Sequence, residues 1–177
     1  ELMSIVFYVL AGFIRTRAVA VEAALKYFLL GSFATGFLLY GIAMIYGATS
    51  TLVLPQILDS IIQGNADITY IRIGFGLILV GLAFKTAAFP FHQWAPDVYH
   101  GAPSTSTGFM STAGKAAALI AFIIVAKAVI PTTIAIESIS TGSLEITKFS
   151  ETARLIIAVI AGFTMIIGNI SAVVQKN

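Results

Sequence analysis

Ionisable side chains interrupt the most apolar parts of this sequence. Lys85, His92 and Lys115 all fall within the stretch FKTAAFPFHQWAPDVYHGAPSTSTGFMSTAGKAAAL. A lysine at the centre of a membrane-spanning helix costs about 2.5–3.5 kcal/mol by insertion scales, and such residues are functional candidates by default. The competing interpretation is snorkelling, in which the alkyl stem lies in lipid while the ammonium group reaches the interface.

The position of each residue along its apolar run helps to separate these interpretations. Lys115 lies 12 residues beyond Pro103, or about 18 Å along a helix, whereas the half-thickness of the hydrocarbon core is about 15 Å. Snorkelling is therefore disfavoured for Lys115. Lys85, five residues before Pro90, is also predicted near mid-membrane. Glu1, near the middle of its own predicted span, is a candidate carboxylate partner for a lysine.

Other polar residues leave more than one interpretation open. Lys26 follows Glu22 by four residues, so the two can pair on one helix face, and a structural role is as compatible with this spacing as a proton-carrying one. His92 is either a polar filler or a proton carrier, because imidazole, with an ordinary pKa of about 6.5, exchanges protons at physiological pH. His100 is predicted to face water, and Asp97 to cap its turn or stabilise the cytoplasmic end.

Together these residue types suit the storage and transfer of protons. Burial lowers the pKa of a lysine and a nearby carboxylate raises it, so each group in a row binds a proton with an affinity that depends on its neighbour's charge. We therefore predict a proton relay on adjacent helices, with Lys26 in a supporting position. Its members are Glu1, Lys85, His92 and Lys115.

Composition predicts the solvent in which this chemistry takes place. Of the 177 residues, 58% are hydrophobic and 10% are charged, whereas soluble domains carry about 25% charged residues. The chain is therefore predicted to be a membrane protein. Its net charge of +2 gives no nucleic-acid-binding signature.

Metal and nucleotide sites are not predicted. The absence of cysteine excludes disulfides, thiolate metal sites and iron–sulfur ligation by these residues. Two histidines eight residues apart do not make a zinc site. The segment GFMSTAGKA is not a phosphate-binding loop, because Ala116 stands where that motif requires Ser or Thr.

Four or five apolar runs are predicted to form an all-α, polytopic bundle, since one span needs about 20 residues. The runs cover residues 1–14, 19–46, 71–89, 104–130 and 154–174. LPQILDSIIQ is predicted as a short interfacial helix, and residues 132–151 as a polar connection. Basic Arg15, Arg17 and Lys176, set against acidic intervening loops, place these residues and the His100 turn in the cytoplasm.

The third run is predicted to be discontinuous. Pro90 removes a backbone donor and clashes with the carbonyl four residues earlier, and a helix broken at membrane depth needs protein or a wet cavity to supply new partners. Such half-helices often accompany ion pathways; a simple kink leading into a loop is the alternative. Small residues in the second and third runs predict close helix packing. They include Gly31, Gly36, Gly41, Gly74, Gly76 and Gly81.

Two segments resemble a known family. PFHQWAPDVYHGAPSTSTGFMSTAGKAAAL and ALKYFLLGSFATGFLLYGIAMIYGAT resemble the antiporter-like membrane subunits of respiratory complex I, the bacterial NADH–quinone oxidoreductase. The DVYxGAP form is most similar to the N-type branch of that family. The resemblance covers nearly the whole chain and implies a segment of a longer protein, cut at both ends.

What the resemblance implies goes further than the residue patterns. It implies a fold of about fourteen helices in two inverted repeats, of which this chain covers helices five to nine with the seventh broken. It assigns proton-carrying roles to Glu1, Lys85, Lys115 and His92, and a lesser one to Lys26. It implies no flavin, iron–sulfur cluster or nucleotide on this chain, with redox steps in partner membrane and peripheral subunits and an inner-membrane location.

Two other function classes remain as alternatives. A secondary cation/proton antiporter of the Mrp type would exchange ions without a redox partner, although the DVYxGAP form disfavours it. A purely structural membrane scaffold would have to tolerate the energetic cost of mid-membrane charges and a broken helix, although neither feature would serve a function.

Overall fold

A computed structural model describes residues 2–131 and 143–175. All regular elements within these ranges are helices, which confirms the predicted all-α class. They are α1 (Leu2–Ala11), α2 (Ala18–Thr49), α3 (Leu54–Ile62), α4 (Ile68–Thr86), α5 (Trp94–Gly101), α6 (Ser104–Phe109), a π-helical segment (Met110–Gly114), α7 (Lys115–Val129) and α8 (Ser143–Val174). The α6, π-helical and α7 segments form one continuous helix, Ser104–Val129.

Four of these helices are long and apolar enough to cross a membrane. They are Ala18–Thr49, Ile68–Thr86, Ser104–Val129 and Leu144–Val174. The first predicted span corresponds to α1, whose 10 described residues reach about 15 Å, half of the hydrocarbon thickness. LPQILDSIIQ is helical as predicted, and α3 buries Ile57 and Ile61.

Two predicted boundaries differ from the structure. Helix α4 ends at Thr86 rather than at residue 89. Helix α8 begins at Ser143, so the part of the predicted polar connection between residues 143 and 151 is helical. A 32-residue helix extends about 48 Å and therefore continues beyond a hydrocarbon core of about 30 Å, where polar first turns are compatible with a helix. Residues 132–142 lie outside the described ranges.

Glycines bring α2 and α4 into backbone contact, as the small-residue pattern predicted. A Cβ atom built on Gly41 would lie 2.7 Å from the carbonyl oxygen of Gly74, and one built on Gly74 would lie 2.9 Å from that of Gly41. A Cβ atom on Gly81 would lie 2.7 Å from the Cβ of Leu38. Gly76 instead faces open space, so the contact uses one face of α4.

Two apolar clusters stabilise the bundle, one toward each end. The first joins α2, α3, α4, α7 and α8 and includes Ile45, Ile57, Ile71, Phe75, Val129 and Phe149. The second surrounds the end of α4 and joins α1, α2, α4 and α5, with Phe7, Tyr8, Tyr27, Phe84, Trp94 and Val98. The second cluster therefore surrounds the region that carries most of the predicted proton-carrying residues.

Candidate functional site

The break in the third predicted span lies next to Lys85. Helix α4 ends at Thr86, and Ala87 follows in the left-handed region with φ of 58°. Thr86 is the residue four before Pro90, whose carbonyl a proline ring would meet in a continued helix. The chain resumes helical structure at Trp94. The predicted break is confirmed, and its position follows from the steric demand of Pro90.

Side chains supply hydrogen-bond partners for the broken segment. The indole Nε1 of Trp94 donates to the carbonyl oxygen of Phe84 over 3.0 Å. The backbone N–H of Phe89 donates to Oγ1 of Thr164 on α8 over 2.9 Å. Irregular backbone is tolerated at membrane depth where protein groups bond it in this way, so these contacts allow the break to persist between packed helices.

Lys85 lies in the last turn of α4 and faces α1. Its side chain is half-buried, and its Nζ atom donates a hydrogen bond to Oγ of Ser4, a residue that is only 4% exposed. The ammonium group therefore lies between α4 and α1. Glu1, the predicted carboxylate partner, lies outside the described residues, one helical turn before Ser4 in sequence.

Lys115 lies at the junction between the π-helical segment and α7. π-Helical turns within α-helices are rare overall, but many of those that occur lie at functional sites. The side chain is half-buried, and Nζ lies 5.4 Å from the centroid of the Tyr99 ring. The ammonium group of Lys115 therefore lies against an aromatic face within the bundle, and its depth in a membrane stays a prediction.

Lys115 also separates two clefts of different character. An apolar cleft of about 350 Å³ between α4, α7 and α8 is lined by Lys115 together with Leu79, Leu82, Phe122, Ile157 and Ile160. A second cleft of about 580 Å³ carries polar groups, which are His92, Tyr99, His100, Lys115, Ser171 and Gln175. Lys115 thus lines both an apolar cleft and a cleft that carries polar groups.

His92 lies in the irregular segment between α4 and α5, at the polar cleft. Because the helix stops at Thr86, the seven-residue spacing from Lys85 does not place the two side chains on one helical face. The Nδ1 atom of His92 and the hydroxyl of Tyr99 are buried without a hydrogen-bond partner among the described residues. Buried polar atoms are otherwise almost always bonded, so these two atoms retain unused hydrogen-bonding capacity next to the cleft.

Lys26 belongs to a separate, exposed cluster. Its Nζ atom lies 2.7 Å from a carboxylate oxygen of Glu22, as the i,i+4 spacing predicted, and 2.8 Å from Oδ2 of Asp97. The second contact joins α2 to α5. Asp97 does not cap its helix, and its predicted role in stabilising this end of the bundle stays a prediction.

The structure thus brings some predicted residues together and not others. Lys115 and His92 line one cleft, whereas Lys85 faces Ser4 and Lys26 faces Asp97. Sequence reasoning gave no role to Tyr99 or Ser4. Ser4 carried a weak signal, because it is a hydroxyl in an apolar run one turn from Glu1. The contact of Tyr99 with Lys115 depends on the fold of the broken segment.

The sequence of this chain is similar to those of a known family of membrane proteins. The family model described as NADH:quinone oxidoreductase/Mrp antiporter, transmembrane, matches residues 1–177. The chain is 49% identical to NADH-quinone oxidoreductase subunit N 1 of Chloroherpeton thalassium, over 100% of this chain and 34% of that protein. It is 46% identical to subunit N of Salinibacter ruber, over 100% of this chain and 32% of that protein.

Chains of solved respiratory membrane complexes are similar to this chain in fold and sequence. A chain of respiratory complex I from Thermus thermophilus, determined with bound aureothin, is similar with a TM-score of 0.66 and 36% identity over 96% of this chain and 32% of the other. A chain of the membrane-bound sulfane sulfur reductase, an archaeal respiratory membrane complex, is similar with a TM-score of 0.71 and 30% identity over 98% and 32%. The chain spans about a third of the length of the relatives it matches.

Proposed function

Because the chain belongs to the NADH:quinone oxidoreductase/Mrp antiporter transmembrane family, we propose that it is part of a proton-translocating membrane subunit of an NADH–quinone oxidoreductase. The similarity to proteins named subunit N, at 49% and 46% identity, supports this assignment over other branches of the family. The subunit resides in the inner membrane of a bacterial cell, with lipid around its exposed apolar faces.

One observation supports the proton-translocating role: Lys115 is half-buried and lines both a polar and an apolar cleft. A lysine in such a place can alternate between a charged state, which favours the polar side, and a neutral state, which tolerates the apolar side. His92 lines the same polar cleft, and its imidazole nitrogens can donate and accept hydrogen bonds. Lys85 at the helix break, with Glu1, forms the second station, and Lys26 supports the end of the bundle.

The energy for translocation comes from outside this chain. Electron transfer takes place in partner subunits, which hold the redox cofactors, and a change of charge along the membrane shifts the protonation of Lys85 and Lys115. The chain itself contributes no redox step and no cofactor ligand. Its part in the enzyme is to hold ionisable groups at the break and to move protons between them.

Replacement of Lys115 tests this role. Lys115→Ala in the complete protein, in inside-out vesicles of the native membrane, should abolish most NADH-driven proton uptake while the complex still assembles. The matched control is Lys127→Ala, which removes a lysine 12 residues further along the same helix, at an exposed position in its last turn. Proton uptake at the wild-type level in assembled Lys115→Ala complexes would contradict the proposal.

The family description also includes Mrp antiporters, and the same experiment separates the two functions. A secondary antiporter exchanges a cation for a proton down an imposed ion gradient, without NADH. If the Lys115→Ala variant loses gradient-driven exchange while NADH-driven uptake in the same vesicles does not change, the antiporter function replaces the respiratory one.

A further inference from the structure

The ammonium group of Lys115 lies over the ring of Tyr99. The distance of 5.4 Å between Nζ and the ring centroid lies within the range of about 6 Å in which an aromatic face attracts a cation. Neither cleft beside Lys115 is lined by an aspartate or glutamate among the described residues. The Tyr99 ring, by contrast, presents its negative face to the ammonium group.

Packing, rather than hydrogen bonding, holds the Tyr99 ring in place. Its edge meets Trp94 at 5.9 Å between ring centroids and an interplanar angle of 76°. Trp94 is fixed in turn by its hydrogen bond to Phe84 and by stacking on Tyr27 at 4.6 Å. The hydroxyl of Tyr99 has no hydrogen-bond partner among the described residues, so it does not orient the ring.

We propose that Tyr99 is a positioning residue whose aromatic face stabilises the protonated form of Lys115; this inference rests on the proton-carrying role proposed for that lysine. The attraction acts on the ammonium ion and is absent for the neutral amine. The contact therefore favours loading of Lys115 with a proton and weakens when the proton leaves. In this way the broken segment, through α5, influences the charge state of a group on α7.

Other titratable groups face the same space and must be distinguished from Tyr99. His92 and His100 line the polar cleft, and α8 contributes uncharged Ser171 and Gln175. The described residues of α4 and α8 that line the apolar cleft carry no charge. Neither histidine side chain is altered in the Tyr99 variants, and loss of the ring contact acts on the alkaline limb of the profile, where a lysine loses its proton.

The test is the pH profile of NADH-driven proton uptake by the complete protein in native membrane vesicles. Tyr99→Leu removes the aromatic face and should move the alkaline limb to lower pH, by about 0.4 to 1.5 pH units for a cation–π contact of ordinary strength. Tyr99→Phe keeps the ring and should rescue the profile. A fluorinated phenylalanine at position 99 keeps the shape but weakens the negative face, and should reproduce the shift even if Tyr99→Leu fails to assemble.

Each outcome bears on one of the two proposals. An unchanged profile with the fluorinated side chain, or a Tyr99→Phe variant as impaired as Tyr99→Leu, overturns the role of the ring, and the second result assigns the effect to the hydroxyl. Lys115→Ala is measured in the same membranes. If the Lys115→Ala variant retains full uptake, the proposed function is wrong and this inference is wrong with it. If that variant loses uptake but the Tyr99 variants show no shift of the pH profile, only this inference is wrong.

Discussion

The contact between Gly41 and Gly74 makes Gly74→Ala a sharp test of how α4 is held. The added Cβ would lie 2.9 Å from the carbonyl oxygen of Gly41, 2.9 Å from Cγ1 of Ile45 and 3.2 Å from the backbone nitrogen of Ile45. Ordinary contacts between carbon atoms lie near 3.5–4.0 Å. The two backbones therefore have to separate by roughly 0.5–1 Å, because neither a carbonyl nor a main-chain nitrogen can rotate away.

The magnitude follows from comparison with Gly76→Ala on the same helix. Overpacking of a tight interface costs about 1–3 kcal/mol, while replacing a mid-helix glycine by alanine returns about 0.5–1 kcal/mol. A Cβ on Gly76 meets nothing within 4 Å, so that variant receives only the favourable contribution. Since the helix contribution is common to both, Gly74→Ala should be less stable than Gly76→Ala by about 1–3 kcal/mol, the overpacking cost alone.

Thermal denaturation of the detergent-solubilised complete protein, followed by loss of monodisperse material, measures this difference. The Gly74→Ala variant should denature at a lower temperature than wild type or at a similar one, and Gly76→Ala at a similar or higher one. Equal midpoints for the two alanine variants would show that α2 and α4 do not meet through Gly74. The reasoning about the α2–α4 contact would then be wrong.

Two further predictions concern the broken segment. Trp94→Phe should lower the free energy of unfolding by only about 0.5–1.5 kcal/mol, because the Phe84 carbonyl keeps its 3.0 Å hydrogen bond from the backbone N–H of Ala87. The same denaturation assay measures this loss. A loss as large as that expected for Trp94→Ala, about 3–5 kcal/mol, would contradict the prediction. Asp97→Asn should speed amide hydrogen exchange in α5, because it removes the 2.8 Å bridge to α2. Glu22→Gln, which leaves that bridge in place, should not, and equal exchange in both variants would refute the anchoring role of Asp97.

The sequence predicted those features that depend on one residue type or on short spacing. Pro90 predicted the break, the apolar runs predicted the spans, and Glu22 four residues before Lys26 predicted an ion pair that the structure contains. The end of α4 at Thr86 was also within reach, because a proline acts on the residue four before it. Local steric and hydropathy rules are sufficient for these features.

Contacts between distant residues lay beyond such rules. Lys26 meets Asp97 across 71 positions, and Lys85 meets Ser4 across 81, because helices that pack side by side bring together residues whose spacing carries no period. The π-helical segment before Lys115 likewise has no composition that marks it. The start of α8 was missed because polar residues in a helix that extends beyond the membrane resemble those of a connection.

The geometry of the break explains why a charged residue can be kept at this depth. A helix that continued past Thr86 would carry residues 87–93 along its own axis, whereas the observed turn places Ala87 and His92 at the edge of the polar cleft. The break also frees backbone groups, and Trp94 and Thr164 bond two of them. Within the described ranges, the buried side-chain polar atoms without a hydrogen-bond partner belong to His92 and Tyr99, which line the same cleft as Lys115. The unused hydrogen-bonding capacity therefore lies on side chains that can bind or orient a proton carrier. A variant with a continuous helix in place of the break would lose the polar cleft although Lys115 itself would still be present.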